Sequence, residues 1–341
     1  MPTTIAIVQT AFLGDTALSM IFADQVRRAF PEARVLFVCR PDGELLARAN
    51  PAISQVLVFD KRGRDRGLGG IFRMATRLRQ QGVEIAFCLQ RSIRTALVAF
   101  ASRASVRVGF DTATGASLLT HRATYRRDQH EIERNAALIE ALGIEPPGFD
   151  VPLELRLDAR QQDQLAAAHQ RCNGRPIVAI APGAVWETKR WLRERFADVA
   201  ERFRRDGAAV VFIGGPADVA LCEQLAATTG ALSLAGALDP AATVAFLRSC
   251  SVLIANDSAP THLATLAACP TVTIFGSTVP EFGFAPRAPG SAVAEPPALP
   301  CRPCTDHGRR RCPRGTLECM HSITAEDVFE RARIAIEQRT R

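Results

Sequence analysis

Short apolar runs alternate with amphipathic stretches along the whole chain. In the first half the apolar runs read TIAIVQ, ARVLFVC, VLVFD, EIAFCL and RVGF, and in the second half PIVAIAPG, AAVVFIGG, LSLAG, VLIAND and TVTIFG. Helical patterns such as Leu18–Phe30 and Leu192–Asp206 lie between them. Strands separated by helices of this length, and rich in Val and Ile, indicate parallel βαβ units with both sheet faces covered. The pattern predicts an α/β fold.

A proline-rich interruption divides this pattern into two halves. Residues 145–152 read EPPGFDVP, a sequence typical of a connection between domains. A chain of 341 residues is long enough for two domains of ordinary size. We therefore expect two Rossmann-like parallel-sheet domains, residues 1–160 and 161–322, facing each other across a cleft. A last helix within residues 323–341 follows, and a position packed back on the first domain is one option for it.

Composition places the chain among soluble globular proteins, with 47% hydrophobic and 23% charged residues. No apolar run approaches the roughly 18 residues of a membrane span, and the first apolar stretch has no basic flank of the kind that precedes a secretory signal. These features predict a cytoplasmic protein.

Positive charge is concentrated in one segment. The net charge is +7, and residues 60–127 alone hold 14 Lys and Arg against 4 Asp and Glu. Nucleic acid, an anionic lipid surface and acidic small molecules each suit such a segment. One Tyr and two Trp provide few platforms for base stacking, which disfavours single-stranded nucleic acid.

Glycines and polar residues follow four of the predicted strands. Ligands of open parallel sheets bind beyond the carboxyl ends of the strands, so these positions are the candidate site. They are Gly14-Asp15, the segment APGAVWETKRW that ends at Trp191, Gly214-Gly215-Pro216, and Asn256–His262. Neither G-x-x-x-x-G-K-[ST] nor a G-x-G-x-x-G after the first strand is present, which removes the main evidence for a P-loop hydrolase or a simple NAD dehydrogenase.

Each of these positions also has an ordinary structural interpretation. Asp257 and Ser258 suit a helix N-terminus whose free amides attract an anion, but they equally suit a simple helix cap. Lys189 is either a phosphate ligand or a solvated surface lysine. Asp15 is either a functional acid or a favourable charge in a first helical turn, and His262 is either a site residue or a buried structural histidine.

Taken together, the motifs point to one family. GD after the first strand, PG…TKRW after the first strand of the second half, GG after the next, and NDSxxxHLA…P.V.IFGST near the end resemble the ADP-heptose:lipopolysaccharide heptosyltransferases of glycosyltransferase family 9. The resemblance extends from the first strand to the final helix and is strongest to the transferases of the second heptose. Where that family commonly has Gly after Asp-Ser, this chain has Ala259. The resemblance implies a GT-B fold and a metal-independent, inverting glycosyltransferase that uses ADP-heptose.

The resemblance also implies roles for individual residues. Asp15 is the expected general base, and Lys189, helped by Thr188, is expected to neutralise the leaving diphosphate without a metal cofactor. The expected donor-binding residues are Gly14, Gly183, Thr188, Lys189, Gly214, Gly215, Asp218, Asn256, Asp257, Ser258, Ala259 and His262. The acceptor is expected to be the anionic lipopolysaccharide core at the inner membrane surface, bound by Lys61, Arg62, Arg64, Arg91 and Arg94.

Four of the ten cysteines form a cluster near the carboxyl end, Cys301-x2-Cys304-x7-Cys312-x6-Cys319. Three interpretations compete: a structural zinc or iron site, disulfides, or reduced thiols in a compact loop. His307 and His321 are additional ligands nearby, and disulfides are the least favoured in a cytosolic protein. Related heptosyltransferases that modify autotransporter proteins bind iron through cysteines, so a protein acceptor remains an alternative.

Other functions stay open at this point. They are a family 9 transferase with another sugar nucleotide, a non-catalytic nucleotide-sugar-binding protein, and a nucleic-acid-binding protein that uses the basic segment. The joint presence of Asp15, Lys189 and Asp257 favours an enzyme, with a nucleotide-sugar donor and no nucleic-acid partner.

Overall fold

The computed structural model describes residues 2–339 and separates into two compact units. The first unit extends to Asp150 and includes Glu154–Arg156, while the second comprises Val151–Leu153 and the residues from Leu157 onward. The chain thus changes unit over residues 150–157, shortly before the expected boundary at residue 160.

The first unit is a six-stranded parallel sheet covered by helices. Its strand order is β3-β2-β1-β4-β5-β6. The strands are β1 (Thr4–Val8), β2 (Arg34–Cys39), β3 (Gln55–Val58), β4 (Ile85–Cys88), β5 (Val106–Phe110) and β6 (His121–Ala123). The helices are α1 (Leu13–Ala29), α2 (Glu44–Ala49), α3 (Gly67–Gln80), α4 (Ile93–Ala101) and α5 (Glu131–Glu140), with 3-10 turns at Pro41–Gly43 and Ala116–Leu118.

The second unit is built in the same way, with strand order β12-β11-β10-β7-β8-β9. Its strands are β7 (Ile177–Ala181), β8 (Ala209–Phe212), β9 (Leu232–Ser233), β10 (Cys250–Asn256), β11 (Thr271–Ile274) and β12 (Ala292–Ala294). Its helices are α6 (Ala159–Cys172), α7 (Arg193–Arg205), α8 (Val219–Thr229), α9 (Pro240–Arg248), α10 (Ala259–Ala267), α11 (Glu318–His321) and α12 (Ala325–Arg339), with 3-10 turns at Glu187–Lys189, Pro216–Asp218 and Pro280–Phe282.

Both sheets have the Rossmann strand order, in which the first and fourth strands of each unit are neighbours. The chain leaves these two strands towards opposite sides of the sheet, so a crevice opens at their carboxyl ends. The crevice lies beyond β1 and β4 in the first unit and beyond β7 and β10 in the second. Each predicted site segment follows a strand, and those after β1, β4, β7 and β10 meet at these two positions.

The central strands are buried because helices cover both faces of each sheet. All five residues of β1 and of β7 are buried, as their unbroken apolar sequences predict. The prediction of an α/β fold with two parallel-sheet units is confirmed. Two short strands, β6 and β12, were not predicted, since each has three residues at a sheet edge and too little apolar sequence to form a recognisable run.

The final helix, α12, packs on the second sheet. Val328, Ala332 and Ala335 are buried in the core that β7, β8, β10 and β11 form with α7. The helix therefore belongs to the second unit, and additional packing on the first domain stays a prediction. Within residues 2–339, no helix combines the length and the apolar character needed to cross a bilayer.

Candidate active site

In the second unit a buried ion pair lies beyond the carboxyl ends of β7 and β10. Lys189 Nζ donates to Asp257 Oδ2 at 2.6 Å, and Thr278 Oγ1 donates to the same oxygen at 2.6 Å. The side chains of Lys189 and Asp257 are 14% and 8% exposed. Because this pair is largely shielded from water, its charges act on a ligand more strongly than surface charges do. The structure thus brings together two residues that are 68 positions apart in sequence.

Asn256 fixes the loop that carries Lys189. Its side chain accepts from Trp191 N–H at 3.0 Å and donates to the Pro182 carbonyl at 2.8 Å. It is fully buried at the end of β10, so both ends of the Pro182–Trp191 loop are tied to that strand. Asn256, predicted to bind the donor, therefore has a positioning role in this structure.

Helix α10 begins at this ion pair without a side-chain cap. Ser258 is the N-cap residue, but its hydroxyl lies near the Gly183 and Asn256 carbonyls instead of accepting from the helix amides. Ala259 is the first helical residue. An uncapped N-terminus leaves N–H groups and the positive end of the helix dipole available to an anion.

His262 lies in the first turn and a half of α10 and is 5% exposed. Burial lowers the pKa of His262 to about 4, with the Lys189 charge adding to the effect and the Asp257 charge opposing it. Among residues 2–339 its Nδ1 finds no hydrogen-bond partner. His262 is therefore a neutral ring at neutral pH, with one polar atom left to bind a ligand group.

The glycines after β7 and β8 make room for Asp218. A Cβ at Gly183 would lie 2.2 Å from Asp218 Oδ1, and a Cβ at Gly214 would lie 2.6 Å from Asp218 Cβ. Asp218 Oδ2 accepts from Gly215 N–H at 3.0 Å. The close approach of Asp218 thus explains why glycine occupies these positions, which the sequence alone does not indicate. A contact between Asp218 and the ribose stays a prediction.

The cysteine-rich loop, residues 300–322, covers the Lys189 turn. Thr188 Oγ1 accepts from Arg309 N–H at 2.7 Å and lies 3.2 Å from the Arg309 carbonyl, which also accepts from Thr188 N–H at 3.1 Å. Gly308 (φ +90) lies so close that a Cβ there would be 3.1 Å from Lys189 Cγ. The Thr188 hydroxyl, predicted to help bind phosphate, is thus paired with the loop backbone.

The same loop supports Thr278 through Arg302. The Arg302 guanidinium donates to the carbonyls of Phe275, Gly276 and Thr278 at 3.1, 2.7 and 2.9 Å and pairs with Glu295. These carbonyls belong to the end of β11 and the turn that carries Thr278. Arg302, Gly308 and Arg309 were not predicted as site residues, because their partners lie far away in sequence and no local motif marks them.

In the first unit, Asp15 occupies the first turn of α1, after β1. Its Oδ2 accepts from Phe12 N–H at 3.2 Å, so the carboxylate caps the helix. The Asp15 side chain is partly exposed, while Gly14 is buried. Asp15 therefore has the structural role of a favourable charge in the first helical turn. Its partial exposure also leaves the carboxylate able to act as a base.

A cluster of cations lies around Lys61, and Asp15 is close enough to act on the same lysine. The pKa of Lys61 is lowered by burial and by the charges of Arg40, Arg94 and Arg62, and Asp15 acts in the opposite direction. The guanidinium groups of Arg40 and Arg62 lie 5.1 and 5.7 Å from the centre of the Phe12 ring. Arg40 was not predicted, although it follows β2 directly. Arg64, by contrast, is paired with Asp65 at 3.5 Å.

A buried ion pair on α5 adjoins this region and was also missed. Arg134 Nε donates to Glu131 Oε2 at 2.9 Å, and the side chains are 1% and 9% exposed. The Tyr125 ring lies between two guanidinium groups, with Arg91 at 3.9 Å and Arg134 at 4.9 Å from its centre. Burial raises the pKa of Glu131 to about 7 against the opposing charge of Arg134, and Asp15 raises it further. The i,i+3 spacing of Glu131 and Arg134 is visible in the sequence but looks like an ordinary surface pair.

The four cysteines of the carboxyl-terminal cluster are free thiols. Burial raises the pKa of Cys304, and the neighbouring Cys301 and Cys312 raise it further, so the thiols lie near one another. In the described part of the chain, however, no three or more His, Cys, Asp or Glu side chains are arranged to hold a metal ion. The disulfide interpretation is wrong for this structure, and the thiols as placed do not form a ligand set.

Two units, each a parallel six-stranded sheet with the Rossmann strand order, are the fold of GT-B glycosyltransferases. The family model described as Glycosyltransferase family 9 (heptosyltransferase) matches residues 71–311. The chain belongs to glycosyltransferase family 9.

Individual relatives agree with this assignment. The chain is 24% identical to lipooligosaccharide heptosyltransferase 2 of Haemophilus influenzae over 82% of its own length and 84% of that protein. The family 9 glycosyltransferase of Veillonella parvula has the same fold, with a TM-score of 0.85, 23% identity, and 98% and 97% of the two chains covered. E. coli ADP-heptose LPS heptosyltransferase II gives a TM-score of 0.80 at 19% identity, with 99% and 100% covered.

The iron-containing dodecameric glycosyltransferase TibC of E. coli shares the fold more distantly. Its TM-score is 0.59 at 19% identity, with 98% of this chain and 76% of that chain covered. This likeness concerns the fold, and iron is a property of that relative.

Proposed function

We propose that this chain transfers a heptose from ADP-heptose to the inner core of lipopolysaccharide, with inversion at the anomeric carbon. The observation that carries the proposal is the shielded Lys189–Asp257 pair at the uncapped N-terminus of α10, in a chain of the heptosyltransferase family. The names of the relatives, lipooligosaccharide heptosyltransferase 2 and ADP-heptose LPS heptosyltransferase II, support the substrate and the second-heptose position.

The second unit holds the donor in this proposal. Amides at the start of α10 and the ammonium of Lys189 bind the diphosphate, and the neutral ring of His262 offers its unpartnered Nδ1. Asp257 and Thr278 fix the Lys189 ammonium before the donor arrives, so little reorganisation is needed as charge grows on the leaving group.

The first unit supplies the general base. The Asp15 carboxylate takes the proton of the acceptor hydroxyl while that oxygen forms its bond to the anomeric carbon. The bond from the anomeric carbon to the diphosphate breaks on the opposite side, and ADP leaves with the bonding pair next to Lys189. Displacement from the opposite face inverts the anomeric centre, through a transition state with oxocarbenium character.

The cations near Asp15 bind the acceptor in this account. Arg62 and Arg94, with the newly found Arg40, lie around Lys61, on which Asp15 also acts, and Arg91 is held by the Tyr125 ring. Carboxylates and phosphates of the lipopolysaccharide core match these charges. We expect charge reversal in Arg91→Glu/Arg94→Glu to raise the acceptor KM far more than the donor KM, and Arg160→Glu on α6 serves as the control. Equal effects on both KM values would reject this assignment.

A donor panel tests the substrate. ADP-heptose, other ADP-sugars, UDP-sugars and GDP-sugars are offered with a heptose-deficient core acceptor, and nucleoside diphosphate release is measured. We expect release from ADP-heptose that depends on the acceptor. Release only from donors that lack ADP would support another family 9 transferase, and binding of ADP-heptose without any release would support a non-catalytic binding protein.

We further propose that the protein works in the cytoplasm beside the inner membrane, where a lipid-anchored core acceptor is displayed.

We also propose that any metal the protein binds is structural and held by the cysteine-rich loop. The spacing of the four cysteines in the sequence supports a metal site in this loop, but in residues 2–339 their side chains are not arranged to hold a metal ion. Metal analysis of protein purified without chelator tests it: about one equivalent of zinc or iron supports a site, and less than about a tenth of an equivalent excludes a stable one.

A further inference from the structure

An exposed apolar stripe lies on helix α3. Leu68 is 67% exposed and Phe72 is 60% exposed, although large apolar side chains usually avoid water at this extent. At 100° per residue, Leu68, Phe72 and Arg79 lie within about 40° of one another on the helix. The opposite side of α3, with Ile71, Met74 and Leu78, is buried in the core.

The neighbouring helix extends this surface. Helix α4 packs against α3, and its Ile93 and Phe100 are 43% and 51% exposed. These two residues are seven positions apart and therefore lie on one side of α4. Four of the eight large apolar side chains that are exposed in residues 2–339 are thus on this pair of helices, which we name the α3–α4 face.

The α3–α4 face is strongly cationic. Six arginines of α3 and the segment before it are exposed: Arg62, Arg64, Arg66, Arg73, Arg77 and Arg79. Between residues 61 and 81 the only acid is Asp65, which is 8% exposed and already paired with Arg64 and Arg73. The solvent side of the segment thus presents positive charge without an exposed negative one.

We propose that the α3–α4 face docks the protein on an anionic lipid bilayer, with Leu68 and Phe72 inserted between the headgroups. Exposed apolar residues rimmed by arginines match a surface that is negatively charged outside and apolar beneath. A second copy of the chain would bring two cationic faces together, and nucleic acid would match the arginines but leave Leu68 and Phe72 unexplained. The inference rests on the proposed function in that a membrane-bound acceptor makes docking useful.

Vesicle co-sedimentation tests the proposal with the full chain and no sugar donor. We expect binding to vesicles of phosphatidylethanolamine with phosphatidylglycerol, little binding to phosphatidylcholine alone, and weakening by salt. Leu68→Ser/Phe72→Ser and, separately, Arg77→Gln/Arg79→Gln should each weaken binding by about tenfold or more. The control Leu45→Ser/Ile334→Ser removes two exposed apolar side chains from α2 and α12 and should bind as wild type does.

Other results would contradict docking on a lipid bilayer. Equal binding to neutral and anionic vesicles, or wild-type binding by Leu68→Ser/Phe72→Ser, would overturn the proposal. Binding to a DNA duplex as tight as to vesicles, or dimerisation that Leu68→Ser/Phe72→Ser abolishes, would assign the face to nucleic acid or to a second copy. Transfer to a delipidated soluble acceptor should be equal in all variants, so failure of docking is distinguishable from failure of the proposed transfer.

Discussion

Lys189 is bound on one side before any donor arrives. The Lys189 ammonium and the Thr278 hydroxyl both donate to Oδ2 of Asp257, and the side chains of Lys189 and Asp257 are mostly buried. A buried ion pair contributes little net stability, but leaving one charge without its partner is costly. The stability of the folded state at the end of β10 therefore depends on the presence of both residues.

A double-mutant cycle on this pair tests the coupling. We expect Lys189→Met and Asp257→Asn each to lower the free energy of unfolding by about 3 kcal/mol, because each leaves a buried group without its charged partner. The combined variant should lose clearly less than the sum of the two. Urea unfolding measures all four proteins, and additive losses would show that the pair is not coupled.

The fold alters the protonation of Glu131. Its pKa is about 7 in the folded chain against an ordinary value of 4.5. Between these pH values the folded state keeps a proton that the unfolded state has lost, so the free energy of unfolding falls as pH rises from about 4.5 to about 7. The shift corresponds to roughly 3 kcal/mol, lost fully above the folded pKa.

Replacing the acid should remove this dependence. We expect Glu131→Gln to flatten the fall in unfolding free energy between about pH 4.5 and 7, since the amide does not titrate. Glu140→Gln, at the exposed end of the same helix, should keep the wild-type slope. Urea unfolding across this pH range measures both, and an unchanged slope in Glu131→Gln would contradict the assignment.

At the scale of elements, the cysteine-rich loop supports the two turns that carry Lys189 and Thr278, and we call this support the brace. It reaches the Lys189 turn through Arg309 and Gly308, and the Thr278 turn through Arg302. Its last part joins the core of the second unit through Cys319 and Met320. A change in this loop is therefore transmitted to both residues that contact the Asp257 carboxylate.

Two glycines of the loop offer a matched comparison. Gly308 and Gly315 both have positive φ, but a Cβ at Gly308 would meet Trp186 Cβ at 3.0 Å and Lys189 Cγ at 3.1 Å, while a Cβ at Gly315 would meet nothing within 4 Å. We expect both alanine variants to lose a few degrees in Tm from backbone strain. Only Gly308→Ala should also lower kcat, by about tenfold, because it displaces Lys189. Equal kcat values in the two variants would refute the brace.

This brace could not be predicted from the sequence. The contact between Thr188 and Arg309 spans 121 residues, and it uses backbone atoms of a loop with no regular pattern. The strands, in contrast, were predicted because burial on both faces requires unbroken apolar runs such as β1 and β7. The short edge strands β6 and β12 do not require an unbroken apolar run, so the sequence shows no strand pattern at these positions.

At the scale of the molecule, the two sheets repeat one topology. Parallel order and the position of the switch point follow from the alternation of strands and helices, so the sequence places Asp15, Lys189 and Asp257 after strands, at the sheet edge where ligands bind. Their roles stay predictions. Which side chains bind ligand and which hold the site together depends on packing. Asn256 and Thr188 are examples, because the structure pairs their polar groups with the protein itself.

The central claim is that Asp15 is the base of a sugar transfer whose donor site lies in the second unit. Asp15→Asn tests it directly, because asparagine keeps an oxygen that accepts from Phe12 N–H but cannot take a proton. Asp24→Asn on the same helix is the control. The measurement is turnover of ADP-heptose with a core acceptor, alongside the Kd for ADP. We expect Asp15→Asn to lose at least about a hundredfold in kcat while its Kd for ADP stays within about twofold of wild type; wild-type turnover in that variant would contradict the role of Asp15 as the base.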